Sequence, residues 1–261
     1  MEGLPTAARA RKPCPMPKTR LDQLLVSRGL METRARARDA ILRGAVTVDG
    51  RPAAKPGEAV APDAALEVAD PAAGYVSRAA LKLIAGLEAT GFDPAGRHAV
   101  DLGASTGGFT QVLLERGAAH VTAIDVGHGQ LHPRISADPR VTSLEGLNAR
   151  DLTAGDVNHP VEAIVCDVSF ISLTLVLPPV LALAAPGAFG VFLVKPQFEA
   201  GRAAIGKGGL VDPAVGRASA ERVAAWLASQ EGWTADDLIP SPIEGGDGNL
   251  EYLIGATRDR A

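Results

Sequence analysis

A short apolar run that ends in an acid and then breaks into glycines has few ways to fold, and His98-Ala-Val-Asp-Leu-Gly-Ala-Ser-Thr-Gly-Gly-Phe-Thr110 is such a run. It predicts a strand over Ala99 to Leu102, a tight turn over Gly103 to Gly108, and a helix carrying Phe109, Val112, Leu113 and Leu114. With no Cβ at Gly103, Gly107 and Gly108, the backbone can turn sharply, lie close to a ligand and still pack the helix on a sheet. The next apolar strand, Val121-Thr-Ala-Ile-Asp125, ends in an acid about twenty residues after the first glycine, where a carboxylate accepts hydrogen bonds from ribose hydroxyls.

NAD, a flavin nucleotide and S-adenosyl-L-methionine all fit that spacing. A dinucleotide turn wants glycine at its third place, which here is Ser105, and Asp101 would repel a pyrophosphate. An acid there suits a ligand that carries a sulfonium and an ammonium and no phosphate. The turn therefore favours S-adenosyl-L-methionine, with a dinucleotide site or a purely structural turn as the alternatives.

Strands alternate with helices across the rest of the C-terminal part. Val141 to Leu144 predicts a strand, followed by Asn148 and Asp151; Ala163-Ile-Val-Cys-Asp167 is another apolar run ending in an acid, and Phe189 to Val194 delivers Lys195. Ser77 is placed to cap a helix lined by Leu81, Ile84 and Leu87, with Lys82 beside that face. Ala214 to Ser229 reads as a helix around Val223, Trp226 and Leu227, and Leu250-Glu-Tyr-Leu-Ile254 as the closing strand. Such alternation implies an α/β fold with a doubly wound, mostly parallel sheet, whose ligands sit at the carboxyl ends of the strands. Asp101, Asp125, Asp167 and Lys195 all fall at such ends.

Three features limit the function class. Cys14 and Cys166 stand far apart in unlike contexts, which is no disulfide framework and fits a reducing cytoplasm. The stretch from Leu173 to Val194 has no charge and approaches the length of a membrane span, but Pro178-Pro179 and Pro186-Gly187 divide it into a short helix, a turn and a buried strand. No secretory signal is evident and no membrane association is expected. His128 and His132 stand four apart, yet Gly129 and Pro133 disfavour the helix that would align them, so no metal site is expected. Arg202 to Gly209, rich in glycine, is expected to be mobile.

The net charge of −4 hides an asymmetry: between Arg9 and Arg43 ten Lys or Arg face three acids. A basic end on an acidic remainder is expected of a polyanion-binding module. Residues 1–18, without periodicity, read as a disordered basic tail. Leu21, Leu24 and Leu25 then mark one helical face, and Thr33 can cap a second helix in which Arg34 and Arg38 share a face. Ala45-Val-Thr-Val-Asp-Gly-Arg51 reads as a strand into a hairpin turn, and Val60 and Leu66-Glu-Val68 complete a small α+β unit. This pattern over 19–69 resembles the RNA-binding module first seen in a small-subunit ribosomal protein and in pseudouridine synthases. The resemblance implies RNA contacts by Arg20, Arg34, Arg36 and Arg38, whereas charge runs elsewhere are usually solvated surface. Residues 70–74 are the expected linker, and 75–261 the second domain.

Four segments then carry a more specific resemblance: Asp101-Leu-Gly-Ala-Ser-Thr-Gly-Gly-Phe-Thr110, Asp125-Val-Gly-His-Gly-Gln-Leu131, Cys166-Asp-Val-Ser-Phe-Ile-Ser172 and Val194-Lys-Pro-Gln-Phe-Glu199. They look like the TlyA family of bacterial ribosomal RNA 2′-O-methyltransferases, also known as haemolysins, which join such an RNA-binding module to an FtsJ-like, Rossmann-like methyltransferase domain. The family's Lys-Asp-Lys-Glu tetrad falls on Lys82, Asp167, Lys195 and Glu251. His128 departs from the aromatic usual at its position. The resemblance implies S-adenosyl-L-methionine as cofactor, held by Asp101, Gly103, Ser105, Gly107, Gly108, Asp125, Asn148 and Asp167. It implies methyl transfer to a ribose 2′-hydroxyl, expected to be a cytidine's, of rRNA within ribosomal subunits. A pore-forming haemolysin, or an RNA-binding module on an inactive methyltransferase fold, are the alternatives from other classes.

Overall fold

The computed structural model describes residues 17–260, so Cys14 and all but the end of the expected tail lie outside the described residues. The chain divides into two compact units, 1–73 and 74–261.

In the first unit β1 (Thr19–Arg20) leads into α1 (Leu21–Ser27), and α2 (Arg34–Leu42) follows behind the Thr33 cap, whose side chain accepts from the Arg36 N–H. Strands β2 (Val46–Val48), β3 (Arg51–Pro52), β4 (Ala59–Val60) and β5 (Leu66–Val68) form two small antiparallel sheets, β1 with β4 and β2 between β3 and β5. Leu21, Leu25, Ala37, Ile41 and Val46 close a core of their own. The expected linker at 70–74 is not a free tether over its first part: Arg43 holds Asp70 with two hydrogen bonds of 2.9 Å, and Ala72 is buried.

The second unit runs α3 (Ala80–Thr90), β6 (His98–Leu102), α4 (Gly108–Glu115), β7 (His120–Asp125), α5 (Pro133–Ser136), β8 (Val141–Glu145), β9 (Val161–Cys166), α6 (Leu173–Leu183), β10 (Ala184–Val194), α7 (Pro196–Glu199), α8 (Pro213–Ala228), β11 (Trp233–Pro240) and β12 (Tyr252–Arg258). Seven strands form one sheet in the order β11-β12-β10-β9-β6-β7-β8. The five from β10 to β8 are parallel; β12 runs antiparallel to β10 and to β11. Side chains alternate between faces, as a two-residue period requires. Val100, Leu102, Ile164, Cys166, Phe192 and Val194 join α6 and α8 on one side; Ala99, Val165, Val191 and Leu193 join α3 and α4 on the other.

The chain moves outward from β6 to β7 and β8, then returns to place β9 on the other flank of β6. This reversal leaves a crevice between the carboxyl ends of β6 and β9, where doubly wound folds bind ligands.

Three expectations need correction. β11 is missing from the sequence reading, and β12 starts at Tyr252, one residue after Glu251. α6 continues through Pro178-Pro179, because Leu173, Val176, Leu177, Val180 and Leu181 bury one continuous face that outweighs two missing N–H donors. As expected, no helix spans His128 and His132: α5 begins only at Pro133, where a first-turn proline loses no intrahelical bond. At the end of the 202–209 stretch, Asn249 accepts from Val211 N–H and donates to Gly209 O, both at 2.9 Å.

Candidate active site

The glycine turn sits against β9 so closely that a Cβ on Gly103 would come 2.6 Å from Asp167 O, and its φ of +79° is itself a glycine conformation. Ser105, at φ +47°, donates its N–H to Asp125 Oδ2 (2.8 Å), and Gly127 N–H donates to Asp125 Oδ1 (2.8 Å). Each carboxylate oxygen of Asp125 therefore keeps a lone pair for a ligand. Ser105 Oγ reaches Gln130 Oε1 at 3.2 Å.

Gly103, Ser105, Asp125 and Gln130 line a cleft of about 410 Å³ that also takes in Asn148, Asp167, Ser169 and Phe170. Asn148 caps a short 3₁₀ turn, accepting from Arg150 N–H, which leaves its amide donors for a ligand. A smaller cleft of about 150 Å³ lies between the glycine turn and Lys195, and shares Gly103, Ser105, Asp167 and Ser169 with the first.

Two expected cofactor residues line neither cleft. Asp101 is fully buried behind the turn, where Thr110 Oγ1 donates to its Oδ2 (2.6 Å) and its Oδ1 has no hydrogen-bond partner among the described residues. Burial first, then the nearby Asp167 and Asp125 carboxylates, push its pKa up to about 7 against the pull of Thr110. Gly107 faces away from both; a Cβ there would strike Leu131 at 2.8 Å, so it serves packing of the segment that leads into α5. Gly108 lines the smaller cleft.

The four tetrad residues form two ion pairs. Lys82 and Glu251 are both buried and paired directly. Lys82 lies on the inner face of α3 itself, with Ala80, Leu83, Gly86 and Leu87, so the sequence expectation of an apolar face at Leu81, Ile84 and Leu87 is rotated. Lys195 Nζ stands 2.6 Å from Asp167 Oδ1, but the angle makes no directed hydrogen bond there; the directed bond runs to Ser169 Oγ at 2.9 Å. Burial raises the Glu251 pKa against the pull of Lys82, and the charges of Lys195 and Asp167 also reach it. The two pairs are thus one electrostatic unit.

Residues outside the sequence expectation complete the site. Ser169 holds Lys195. Glu199 ties the two segments that meet there, accepting from Ser172 Oγ (2.6 Å) and Leu173 N–H (2.8 Å) while standing on α7 just after Lys195. Phe170, at φ +68° and 90% exposed, stands on the rim with its ring 5.1 Å from that of Phe198. The sequence signal was a hydroxyl and an aromatic directly after a strand-end acid.

In the first unit, Arg20 and Arg34 both reach Asp22; Arg36 pairs with Glu32 and donates to Ala72 O; Arg38 is exposed. Among the described residues no group of His, Cys, Asp and Glu is placed to hold a metal ion, and no helix is long and apolar enough to cross a membrane.

A strand-end acid on a glycine turn, in a seven-stranded sheet with the last-placed strand antiparallel, defines a methyltransferase-type α/β domain. Residues 75–258 match the FtsJ-like methyltransferase family and residues 19–66 the S4 domain. The 16S/23S rRNA (cytidine-2′-O)-methyltransferase TlyA of Mycobacterium tuberculosis is 47% identical over 91% of this chain and 89% of its own length. The 23S rRNA (cytidine-2′-O)-methyltransferase TlyA of Campylobacter jejuni is 39% identical over 69% of each. A solved structure from Streptococcus thermophilus that carries the hemolysin name superimposes with a TM-score of 0.72 at 39% identity, covering 94% of this chain and 90% of its own. The chain belongs to the TlyA family of S4-containing, FtsJ-like methyltransferases.

Proposed function

We propose that the chain transfers a methyl group from S-adenosyl-L-methionine to a ribose 2′-hydroxyl of ribosomal RNA, a cytidine's, within ribosomal subunits in the cytoplasm. The observation that carries this reading is the Lys195–Asp167 pair beside the Gly103 turn, with the buried Lys82–Glu251 pair within reach of its charges.

The residues present suit this cofactor. Asp125 keeps free lone pairs for ribose hydroxyls, and Asn148 keeps its amide donors. When bound, S-adenosyl-L-methionine supplies a methyl group already activated on a sulfonium. What the chain must add is alignment of the hydroxyl and custody of its proton. Lys195 Nζ, lining the smaller cleft, is placed to take or hold that proton. Asp167 and Ser169 orient it. Lys82 and Glu251, buried behind, contribute the field in which Lys195 works. Exposed Phe170 offers a π-face for a base displaced from its stack. In the first unit, Arg20, Arg34, Arg36 and Arg38 contact phosphates.

Incubation with tritiated S-adenosyl-L-methionine and separated, unmodified 30S and 50S subunits should label rRNA at the 2′-oxygen of a cytidine. The relatives' names differ in the subunits they specify, so both are offered. Label on a base, or none on either subunit, would overturn the reading.

A further inference from the structure

Asp22 is an acid in a module otherwise rich in arginine, and it is 0% exposed. Arg20 donates to it twice, Nε to Oδ1 and Nη2 to Oδ2, both at 3.0 Å; Arg34 Nη2 donates to the same Oδ2 at 3.1 Å. The two guanidiniums come from different elements, one closing β1 and the other opening α2, and the carboxylate stands in the first turn of α1, where the helix N-terminus favours an anion. Arg20, more than Arg34, holds the Asp22 carboxyl down at about 2, so it is ionised at neutral pH.

The arrangement leaves both cations available. Their side chains remain 46% and 54% exposed, and among the described residues neither has another acceptor. A guanidinium has five N–H donors, so each keeps donors to spare. Gly57 leaves room for one of them: a Cβ there would stand 3.0 Å from Arg20 Nη1. A surface that needed positive charge alone would gain by losing Asp22, since a buried acid cancels part of the attraction for a polyanion.

We propose that Asp22 is a positioning residue for RNA binding: it locks Arg20 and Arg34 side by side, so that together they present a fixed pair of donor forks to phosphates of the rRNA backbone. The proposal rests on the reading of Arg20 and Arg34 as phosphate contacts. Its physical basis is preorganisation: two flexible side chains are ordered before binding, so their rotamer freedom is not lost on the RNA.

The test is binding of the full chain to an unmodified 23S rRNA transcript over a range of salt concentrations. Asp22→Asn keeps the size and one acceptor oxygen but removes the charge. If the arginines act as independent charges, the variant carries one more net positive charge, binds more tightly and has at least as steep a salt dependence. Positioning predicts the opposite sign: affinity falls roughly tenfold or more, as for one missing charge-assisted hydrogen bond, and the log–log salt slope flattens. Adenosylmethionine affinity, read in the same samples, should not change. Unchanged or tighter RNA binding overturns the proposal.

Because a buried substitution can disturb folding, Arg20→Lys and Arg34→Lys provide a second arm on exposed side chains. Each keeps the charge and loses the fork, and each should weaken binding nearly as much as the corresponding Gln substitution. Lys variants that bind like the parent overturn the proposal. Gln variants that bind like the parent show instead that these arginines do not touch RNA, and both the underlying reading and the proposal fall.

Discussion

Lys195 leaves a strand whose last seven residues are all buried and is held at its tip by Asp167 and Ser169, an unusual setting for a side chain seldom buried without a partner. If it manages the hydroxyl proton, Lys195→Ala should lower single-turnover methyl transfer by roughly a hundredfold or more, with cofactor affinity and melting temperature little changed. Lys195→Arg should also fail, because a guanidinium does not give up its proton. An active Arg variant would show that a fixed positive charge suffices, and near-normal transfer by the Ala variant would remove Lys195 from the chemistry. Asp101 makes a prediction of a different kind. Its folded pKa, raised by burial to about 7, lies above that of an unfolded aspartate near 4, so the folded state holds its proton over that interval. Stability associated with this group is complete below about pH 4 and declines as the pH rises towards 7. Asp101→Asn cannot ionise and keeps an acceptor for Thr110. The melting temperature of the parent minus that of the variant should therefore shrink between pH 4 and pH 8; a constant difference would show that Asp101 does not titrate there.

The placement of Lys82 depends on how near α3 lies to the sheet, and Gly86, one turn after Lys82 on the same face, sets that distance. A Cβ at Gly86 would come 2.7 Å from Val191 Cγ1, a side chain with no room to move in the core. In an exposed helix Gly→Ala gains about 1 kcal/mol of propensity. Here overpacking, typically about 1–3 kcal/mol, should win, so Gly86→Ala should lower the melting temperature. It should also slow methyl transfer by shifting Lys82 relative to Glu251; a variant that melts lower with unaltered single-turnover rate would separate the helix position from the site. This dependence shows why the site was only partly legible. β6, β7, β9 and β10 announce themselves as apolar runs with a charged residue at the end, and those ends carry Asp101, Asp125, Asp167 and Lys195. β11 does not, because Asp236-Asp237 interrupts its alternation; the pair falls at the register shift between Ala235 and Leu238, so two acids are accommodated inside a paired strand. The inward face of α3 was misread for a related reason. A buried, ion-paired lysine occupies a position where periodicity expects an apolar residue, and its partner Glu251 is far away in sequence. Asp101 and Gly107 illustrate the opposite case, since turn chemistry placed them in the motif but only the three-dimensional packing shows that they stand behind the clefts.

At the scale of the whole molecule, the two units have separate cores: Leu21, Leu25, Ile41 and their neighbours in one, and the clusters on both faces of the seven-stranded sheet in the other. Hydrophobic stabilisation follows the apolar area each unit buries within itself, so neither core requires the other's side chains. The start of the second unit is also secured locally. Gln111 on α4 donates to Gly74 O (2.9 Å) and accepts from Val76 N–H (2.8 Å), which fixes the backbone just ahead of α3 and Lys82. A chain beginning at Gly74 retains these bonds, both sheet faces and all four tetrad residues. It should fold and bind S-adenosylmethionine with nearly the affinity of the full chain. It lacks the cationic window around Arg20 and Arg34, and with it the counterion release that a phosphate-binding surface contributes. Its affinity for rRNA should fall by at least tenfold at moderate salt, with a log–log salt slope flatter by roughly 0.9 for each phosphate no longer neutralised, so that methylation of subunits slows through KM more than through kcat. Parallel titrations with labelled rRNA and with S-adenosylmethionine check this. Equal rRNA affinity in the shortened chain would make the basic window ordinary solvated surface, whereas a loss of cofactor affinity would mean that the first unit contributes to the site it precedes.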